Sequence, residues 1–321
     1  MTHRSVPRTD AAAPPPDGDA APEGFVVLAD SGDRIHFLDW GGPEDAGQPG
    51  VVLIHGLSST SWVWAPVARR LRAIRRTLAI DLRGHGLSDA PTSGYDAATL
   101  AADIVAVADG AGLLRGAGGV ILAGHGFGGC VAAWTAAELG DRCRGLVLVD
   151  GGWEDLRETS GMDPDEFLRA LDEPPEVLRS LAAFLGDRRN FDRATWDDDQ
   201  ERAARALVVE THAGRVVPVT RPHVVEAVVD AMFGYRPVEA LTAVDAPITI
   251  LAAADDEAGS RTTALAHVRQ GLAAARRRSP TVYAFPGLGH NLMRYRPAEV
   301  TAAILAVAAD GPTGSPPGAH D

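Results

Sequence analysis

The chain has 321 residues, 45% of them hydrophobic, and a formal net charge of −13 at pH 7. This length suits one large α/β domain with an insertion or two small domains, and the apolar fraction supplies an ample core. An acidic chain lacks the basic face that phosphate-backbone binding requires, so we expect no nucleic-acid partner. All 30 basic residues are arginine, which excludes a P-loop lysine, a pyridoxal-phosphate lysine and a lysine general base.

Cysteine content and hydropathy exclude further classes of protein. The two cysteines, Cys130 and Cys143, indicate neither a disulfide framework nor a cysteine zinc cluster, and we predict no metal and no cofactor. The N-terminal residues lack the apolar core of a signal peptide, and no segment is long and apolar enough to span a bilayer. We therefore expect a soluble, cytoplasmic protein without a membrane partner.

Short apolar runs predict the strands. The first two, separated by the turn at 31–33, suggest a hairpin, and the others are almost wholly apolar, as parallel strands covered on both faces are. In chain order the runs are FVVLAD (25–30), RIHFLDW (34–40), VVLIHG (51–56), TLAIDL (77–82), GVILAGH (119–125), GLVLVDGG (145–152), ITILAAADD (248–256) and TVYAFPG (281–287). Helical patterns between most of them, such as 62–74, 99–113, 127–139 and 297–309, predict an α/β fold with a mostly parallel, doubly wound sheet.

One interval differs from this alternation. Residues 153–241 show no clear strand run but several charged amphipathic stretches, such as DEFLRAL (165–171) and RPHVVEAVVDAMF (221–233). This pattern predicts a helical cap inserted after the sixth strand. The predicted organisation is a core of residues 24–152 and 242–310, a cap of residues 153–241, and disordered tails at 1–23 and 311–321, where proline, alanine, aspartate and glycine dominate.

A glycine-rich turn, LAGHGFGG (122–129), ends the fifth strand and opens a helix. Its glycines 124, 126 and 129 form a G-x-G-x-x-G pattern, and Asp150 ends the next strand 21 residues after Gly129. These features match a dinucleotide-binding fingerprint. Such a fingerprint normally follows the first strand of its domain, whereas several strands precede this one.

Other motifs favour a different fold. His55-Gly56-Leu57 ends the third strand, DLRGHGLSD (81–89) ends the fourth, Asp255-Asp256 end the seventh, and His290 follows the eighth. With the glycine turn, these motifs occur in the order of the α/β-hydrolase superfamily, and over roughly residues 24–310 the chain resembles its esterase, epoxide-hydrolase and haloperoxidase-like branch. Five motifs in register outweigh the isolated glycine fingerprint.

The resemblance implies a catalytic triad in the order nucleophile, acid, histidine. Gly126 occupies the nucleophile position, where G-x-S-x-G would place serine, and His290 occupies the histidine position. Asp256 is the preferred acid because the family's G-E-x-D ending aligns its last residue there. Asp255 and Asp150 are the alternatives, the second because some relatives place the acid after the sixth strand.

The resemblance also assigns the anion-stabilising groups and a set of pocket candidates. The backbone N–H groups of Leu57 and Phe127 would form the oxyanion hole, which a change of side chain does not remove. Trp62, Trp153 and Met293 are candidates for an apolar pocket wall and are equally compatible with plain core.

No other residue offers a convincing nucleophile. Cys130 should point along its helix into packing, the serines of 58–61 suit helix capping, and His125 should face away from the substrate. The aspartate that epoxide hydrolases and haloalkane dehalogenases carry at this turn is absent. A covalent acyl-enzyme route is therefore excluded for this sequence.

Three hypotheses remain for a protein with a small-molecule substrate or ligand. The first is an enzyme that acts on a small, largely apolar molecule without a covalent intermediate. In it His290, oriented by the acid, activates water or substrate directly for hydrolysis or for a lyase or cyclase step. The second is a binding protein that keeps the pocket without catalysis. The third is a serine hydrolase whose nucleophile is replaced in this particular sequence.

Overall fold

The structure is a computed structural model that describes residues 20–44, 47–171, 180–191, 193–254 and 259–308. Most of the two predicted disordered tails, at 1–19 and 311–321, lies outside the described residues. Among the described residues, no helix has the length and apolarity needed to cross a bilayer.

Eight strands form one twisted sheet, as the sequence predicts. Their order is β1-β2-β4-β3-β5-β6-β9-β10; β1 pairs antiparallel with β2, β2 pairs antiparallel with β4, and the remaining neighbours are parallel. A separate hairpin contains β7 and β8. The strands are Glu23–Leu28 (β1), Arg34–Asp39 (β2), Gly50–Ile54 (β3), Thr77–Ile80 (β4), Val120–His125 (β5), Cys143–Val149 (β6), Val208–Glu210 (β7), Val216–Pro218 (β8), Ile248–Ala254 (β9) and Thr281–Pro286 (β10).

Helices connect most of these strands. They are Ala65–Leu71 (α1), Ala97–Gly110 (α2), Phe127–Leu139 (α3), Leu156–Ser160 (α4), Pro164–Leu171 (α5), Leu181–Phe191 (α6), Asp198–Ala206 (α7), Pro222–Gly234 (α8), Pro237–Thr242 (α9), Ser260–Ala274 (α10), Leu292–Tyr295 (α11) and Pro297–Val307 (α12). Short 3-10 turns lie at Ser61–Trp64, Gly140–Arg142 and Arg193–Thr195.

The inner strands β3, β4, β5 and β6 are buried on both faces, which explains their continuous apolar runs. Along β3, Val52 and Ile54 join one hydrophobic cluster with residues of α2 and α3, while Val51 and Leu53 join a second cluster with residues of α1 and α12. Alternate side chains of a strand point to opposite faces, so a strand covered on both sides needs apolar residues throughout. Each fully buried aliphatic side chain contributes about 1.5–3 kcal/mol of transfer free energy.

The interval between β6 and β9 is mainly helical, with α4 to α9. It also contains the β7–β8 hairpin, which the sequence did not predict because three-residue strands are too short to show an alternating pattern. The α7 helix contacts the rest of the chain through an ion pair of Arg69 with Asp199 at 2.5 Å and through Arg202, whose guanidinium lies 4.9 Å from the Trp62 ring. The division into core and cap stays a prediction.

Backbone packs directly on backbone where β5 runs into α3. A Cβ on Gly124 would lie 2.1 Å from the carbonyl oxygen of Gly128, far inside van der Waals contact. The strand and the first turn of the helix can approach this closely only because residue 124 has no side chain. This contact, rather than a cofactor, accounts for the first glycine of the pattern.

We expect Gly124→Ala to lower the free energy of unfolding by about 1–3 kcal/mol, the range found for overpacked sites, because β5 and α3 must separate. Urea unfolding followed by circular dichroism measures the effect.

The matched control is Gly186→Ala in α6, where an added Cβ meets nothing within 4 Å. Alanine there should raise the free energy of unfolding by about 0.5–1 kcal/mol, since glycine in a helix is the costlier residue. Equal effects of the two substitutions would contradict the packing argument.

Candidate active site

The predicted site residues gather at one edge of the sheet. The carboxyl ends of parallel strands meet at the same edge, and ligands of open α/β sheets bind there. Gly126 directly follows β5, Asp150 directly follows β6, and Leu57 and His290 lie in the loops after β3 and β10. The topology therefore brings together residues that are far apart in the sequence.

Gly126 forms a sharp turn between β5 and α3. Its backbone has φ 54° and ψ −123°, and its N–H donates to the carbonyl oxygen of Val149 at 3.1 Å. The predicted strand-to-helix turn with positive φ is confirmed. A residue with a side chain would hold this conformation at a cost of about 1–3 kcal/mol, which glycine avoids.

The imidazole of His290 lies directly beside this turn. A Cβ built on Gly126 would be 3.1 Å from Nε2 of His290 and 3.5 Å from its Cε1. The histidine side chain is 56% exposed, so solvent reaches the ring. Nε2 thus faces the position from which a serine hydroxymethyl group would project.

The other ring nitrogen of His290 contacts Asp150. Nδ1 lies 2.5 Å from Oδ2 of Asp150. The structure therefore pairs the histidine with one of the two alternative acids. Asp256, the preferred acid, and Asp255 both lie outside the described residues.

Asp150 is held in an unusual conformation by several partners. It has φ 49°, rare for a residue with a side chain, and that side chain is 4% exposed. Its Oδ1 accepts hydrogen bonds from the Ala253 N–H at 2.8 Å and from Arg261 at 2.6 Å. Burial alone would raise the pKa of Asp150, but the hydrogen bond with His290 and the charge of Arg261 lower it below its ordinary value. The carboxylate is ionised at neutral pH.

Arg261, near the start of α10, joins Asp150 to a second acid. Its Nε donates to Oε1 of Glu154 at 2.5 Å, and its guanidinium carbon lies 5.1 Å from the ring centroid of Trp153. Burial raises the pKa of Glu154 more than Arg261 lowers it. Neither Arg261 nor Glu154 belongs to a motif that sequence analysis singled out; their role depends on a contact between α10 and the end of β6.

The backbone amides of Leu57 and Phe127 flank the Gly126 turn. Among the described residues, neither N–H has a hydrogen-bond acceptor. Phe127 is the first residue of α3, where N–H groups lack an acceptor within the helix and the helix dipole favours negative charge. These two donors are therefore available to a partially negative oxygen.

The loop that carries Leu57 is anchored to the DLRGHGLSD segment. Burial lowers the pKa of His55 and lowers that of His85 to about 3, so both rings stay neutral and can accept hydrogen bonds. Ser58, the residue after Leu57, has φ 53° and is held by one of these bonds. The bonds run from Leu82 N to His55 Nε2 at 3.0 Å, from Ser58 N to His85 Nε2 at 3.3 Å and from Ser61 N to Asp81 Oδ1 at 2.7 Å.

His125 packs against the side of His290. The two ring centroids are 4.3 Å apart, and Nε2 of His125 lies 3.1 Å from the His290 carbonyl oxygen. Because a carbonyl can only accept, Nε2 carries the hydrogen. Burial and the charge of His290 lower the pKa of His125 to about 3, so this ring is neutral and supports the His290 loop.

The three pocket candidates differ in how deeply they are buried. Trp62 is partly buried and contacts the Trp40 ring edge-to-face. Trp153 is 1% exposed and Met293 is wholly buried, each within a hydrophobic core cluster, so neither presents a surface beside Gly126. Cys130 is buried as well, and burial raises its pKa well above the ordinary thiol value, which makes it a poor nucleophile. The described residues hold no cluster of three or more metal-binding side chains.

Residues 51–304 match the model of the Alpha/beta hydrolase family. The chain belongs to this family. The fold predicted from the five motifs is confirmed, and the alternative of a dinucleotide-binding domain is wrong. The G-x-G-x-x-G pattern arises here from the tight packing of a strand, a turn and a helix.

Curated relatives are hydrolases. 2-(Acetamidomethylene)succinate hydrolase of Mesorhizobium japonicum is 35% identical over 148 residues, 45% of this chain and 50% of that protein. Epoxide hydrolase 4 of Mus musculus is 33% identical over 128 residues, 39% of this chain and 34% of that protein. These matches span half or less of the relatives' length.

A solved structure shares the fold over most of the chain. The crystal structure of E-2-(acetamidomethylene)succinate hydrolase superposes with a TM-score of 0.72 and 24% identity, covering 90% of this chain and 99% of that one. At this identity the likeness shows the fold alone.

The stability of the segment that anchors the Leu57 loop should depend on pH, because it contains the buried carboxylate of Asp81. Burial raises the pKa of this carboxyl, but hydrogen bonds from His36 and from the Ser61 and Leu87 amides outweigh it, so the net pKa is lowered. A lowered folded pKa contributes stability at pH values above the unfolded pKa, and this contribution is lost as the pH falls through the folded pKa.

We therefore expect Asp81→Asn to lower the free energy of unfolding by about 1.5–3 kcal/mol at pH 7, because the buried N–H donors lose a charged acceptor. The loss should be smaller at pH 3. Urea unfolding at the two pH values measures this difference. Asp109→Asn, at an exposed position of α2, should leave stability unchanged at both. If Asp81→Asn lowered the free energy of unfolding equally at both pH values, the stabilising role of the ionised carboxylate would be contradicted.

Proposed function

We propose that this chain is an enzyme that hydrolyses a small ester or amide by direct attack of water, without a covalent intermediate. The observation that carries the proposal is the position of His290: its Nε2 faces the Gly126 turn, 3.1 Å from where a Cβ would be, while its Nδ1 contacts Asp150 at 2.5 Å. A histidine oriented by a buried carboxylate is the usual arrangement of a general base.

The proposed step uses water where a G-x-S-x-G turn would supply serine. Nε2 of His290 takes a proton from a water bound beside Gly126, and the water oxygen attacks the carbonyl carbon of the substrate. The negative charge that develops on the carbonyl oxygen is stabilised by the N–H groups of Leu57 and Phe127. Collapse of the tetrahedral species breaks the bond to the leaving group, which receives the proton from His290.

The charges around the dyad support this role. Asp150 is ionised and 4% exposed, so its negative charge stabilises the imidazolium that forms during the step. His290 is open to solvent, which allows water and substrate to reach Nε2. The mechanism requires no cofactor.

A relative supports the substrate class. By its name, 2-(acetamidomethylene)succinate hydrolase acts on a compound that carries an acetamido group. We extend this class to the present chain as small acyl compounds. A lyase or cyclase step at the same dyad is the alternative chemistry, and it would use His290 as the base on the substrate itself.

The absence of serine limits the expected rate. Removing the serine of a triad costs about 10⁶-fold in turnover, while about 10³–10⁴-fold over the uncatalysed reaction remains from the oxyanion hole and binding. The parent protein should therefore hydrolyse activated esters slowly.

Introducing the serine tests the geometry of the dyad and the amides together. Gly126→Ser should fold, with His290 shifting by a few tenths of an ångström to admit the new Cβ, and should be acylated by p-nitrophenyl acetate. Stopped-flow absorbance should record a burst of one p-nitrophenolate per protein, because the acyl-enzyme forms faster than it is hydrolysed.

Gly126→Ala is the matched control, since it adds the same Cβ and the same backbone strain without a hydroxyl, and it should give no burst. His290→Ala in the Gly126→Ser background should abolish the burst. A folded Gly126→Ser protein without a burst would show that His290 and the amides are not positioned for acyl transfer.

Measurements on the unsubstituted protein distinguish an enzyme from a binding protein. If His290→Ala eliminates slow ester hydrolysis by the parent, the direct-water proposal is supported. If the parent is inert and His290→Ala changes neither turnover nor ligand binding, the site is a binding pocket and the enzyme proposal is wrong.

A further inference from the structure

Arg261 contacts the acid of the dyad, a second acid and the backbone at once. It donates to Asp150 Oδ1 at 2.6 Å, to Glu154 Oε1 at 2.5 Å and to the Ala253 carbonyl oxygen at 2.7 Å. We propose that Arg261 is a positioning residue that holds Asp150 in place and limits the negative charge that Asp150 presents to His290. The effect on activity rests on the proposed function, whereas the effect on the titration of His290 does not.

Hydrogen bonds hold Asp150 in place. Ala253 donates its N–H to Asp150 Oδ1 and accepts a hydrogen bond from Arg261 at its carbonyl oxygen, so the three residues form a closed ring of hydrogen bonds. The ring links the end of β6, the end of β9 and the start of α10. Within the described part of the chain, Oδ2 of Asp150 contacts His290 and lies outside the ring.

This ring explains how Asp150 keeps its conformation. A positive φ in a residue with a side chain persists only where the surroundings over-determine it. A guanidinium suits the task because its planar fork directs donors toward several acceptors, whereas an ammonium acts as a point charge. Lysine at position 261 should keep the charge but lose the ring.

Several charged groups surround His290. Among the described residues, Asp150 at the end of β6, Glu154 after it and His125 on β5 interact electrostatically with His290, and Arg261 on α10 pairs with both acids. Arg294 and Tyr295 lie on α11, directly after the His290 loop. The cation of Arg261 is shared by two carboxylates, and it opposes the attraction of Asp150 for an imidazolium. A base kept from binding its proton too tightly releases it more readily to a leaving group.

The experiment measures the protonation of His290 directly, in the full chain labelled with ¹⁵N-histidine. Imidazole nitrogen shifts are followed against pH, and His290→Gln identifies the resonances. Arg261→Gln should raise the midpoint of the His290 titration by about one pH unit, because a cation close to the imidazolium is removed. Glu154→Gln should lower the midpoint, because an anion close to the imidazolium is removed.

Arg269→Gln is the matched control: it makes the same change in net charge about two turns further along α10 and should leave the midpoint where it is in the parent. Arg261→Lys should shift the midpoint less than Arg261→Gln does. A midpoint in folded Arg261→Gln equal to that of Arg269→Gln would overturn the proposal. If Arg261→Gln does not fold, an unchanged midpoint in Glu154→Gln would overturn it.

Activity provides the second readout. If the parent hydrolyses p-nitrophenyl acetate, the acid limb of kcat/KM against pH should move with the midpoint in each variant. If the parent is inactive but the midpoints shift as expected, the role of Arg261 stands and the proposed hydrolysis fails. The two failures are therefore distinguishable.

Discussion

The site depends on backbone packing against backbone around the turn at Gly126. A Cβ on Gly128 would lie 2.4 Å from the His55 carbonyl oxygen, and a Cβ on Gly151 would lie 2.5 Å from the Gly126 carbonyl oxygen. These contacts hold the loops after β3, β5 and β6 closer together than side chains would permit. The Leu57 amide, the Phe127 amide and Asp150 owe their proximity to this packing.

Electrostatics add a second layer of order around the turn. His55, His85 and His125 are buried and neutral; His55 and His85 each accept a backbone N–H, and His125 donates to the His290 carbonyl oxygen. Asp81 and Asp150 are buried and ionised, and amide, imidazole or guanidinium donors surround them. Buried charges of this kind persist only when they are paired and hydrogen-bonded. His290, in contrast to these five buried groups, exposes much of its side chain to solvent.

The loss of a serine hydroxymethyl group leaves this arrangement intact because the arrangement does not depend on it. The turn at Gly126 is set by its φ and by the contacts of its neighbours, and the two amides belong to the backbone. In the function that we propose, glycine at position 126 removes the covalent step while His290 serves as the base and the two amides stabilise the developing anion. This is why we favour chemistry on water or substrate over loss of function.

The eight main strands could be predicted from the sequence; the inner strands β3 to β6 are buried and must be apolar at successive positions, and the hairpin of β1 and β2 was indicated by the turn between two apolar runs. The positions of Gly126 and His290 could also be predicted, since motifs in a fixed order place them at the ends of strands. The choice of acid could not. Asp150 and Asp256 both follow strands whose ends reach the same edge, and only the tertiary structure shows that Asp150 contacts His290, while Asp256 lies outside the described residues.

The burial of Trp153 and Met293, the hairpin of β7 and β8, and the hydrogen bonds of Arg261 to Asp150 and Glu154 likewise came only from the fold. Local patterns determine which segments are strands and helices, because periodicity and turn chemistry act over a few residues. Which side chains meet depends on how those segments pack, and Asp150 is separated from both Arg261 and His290 by more than one hundred positions along the chain.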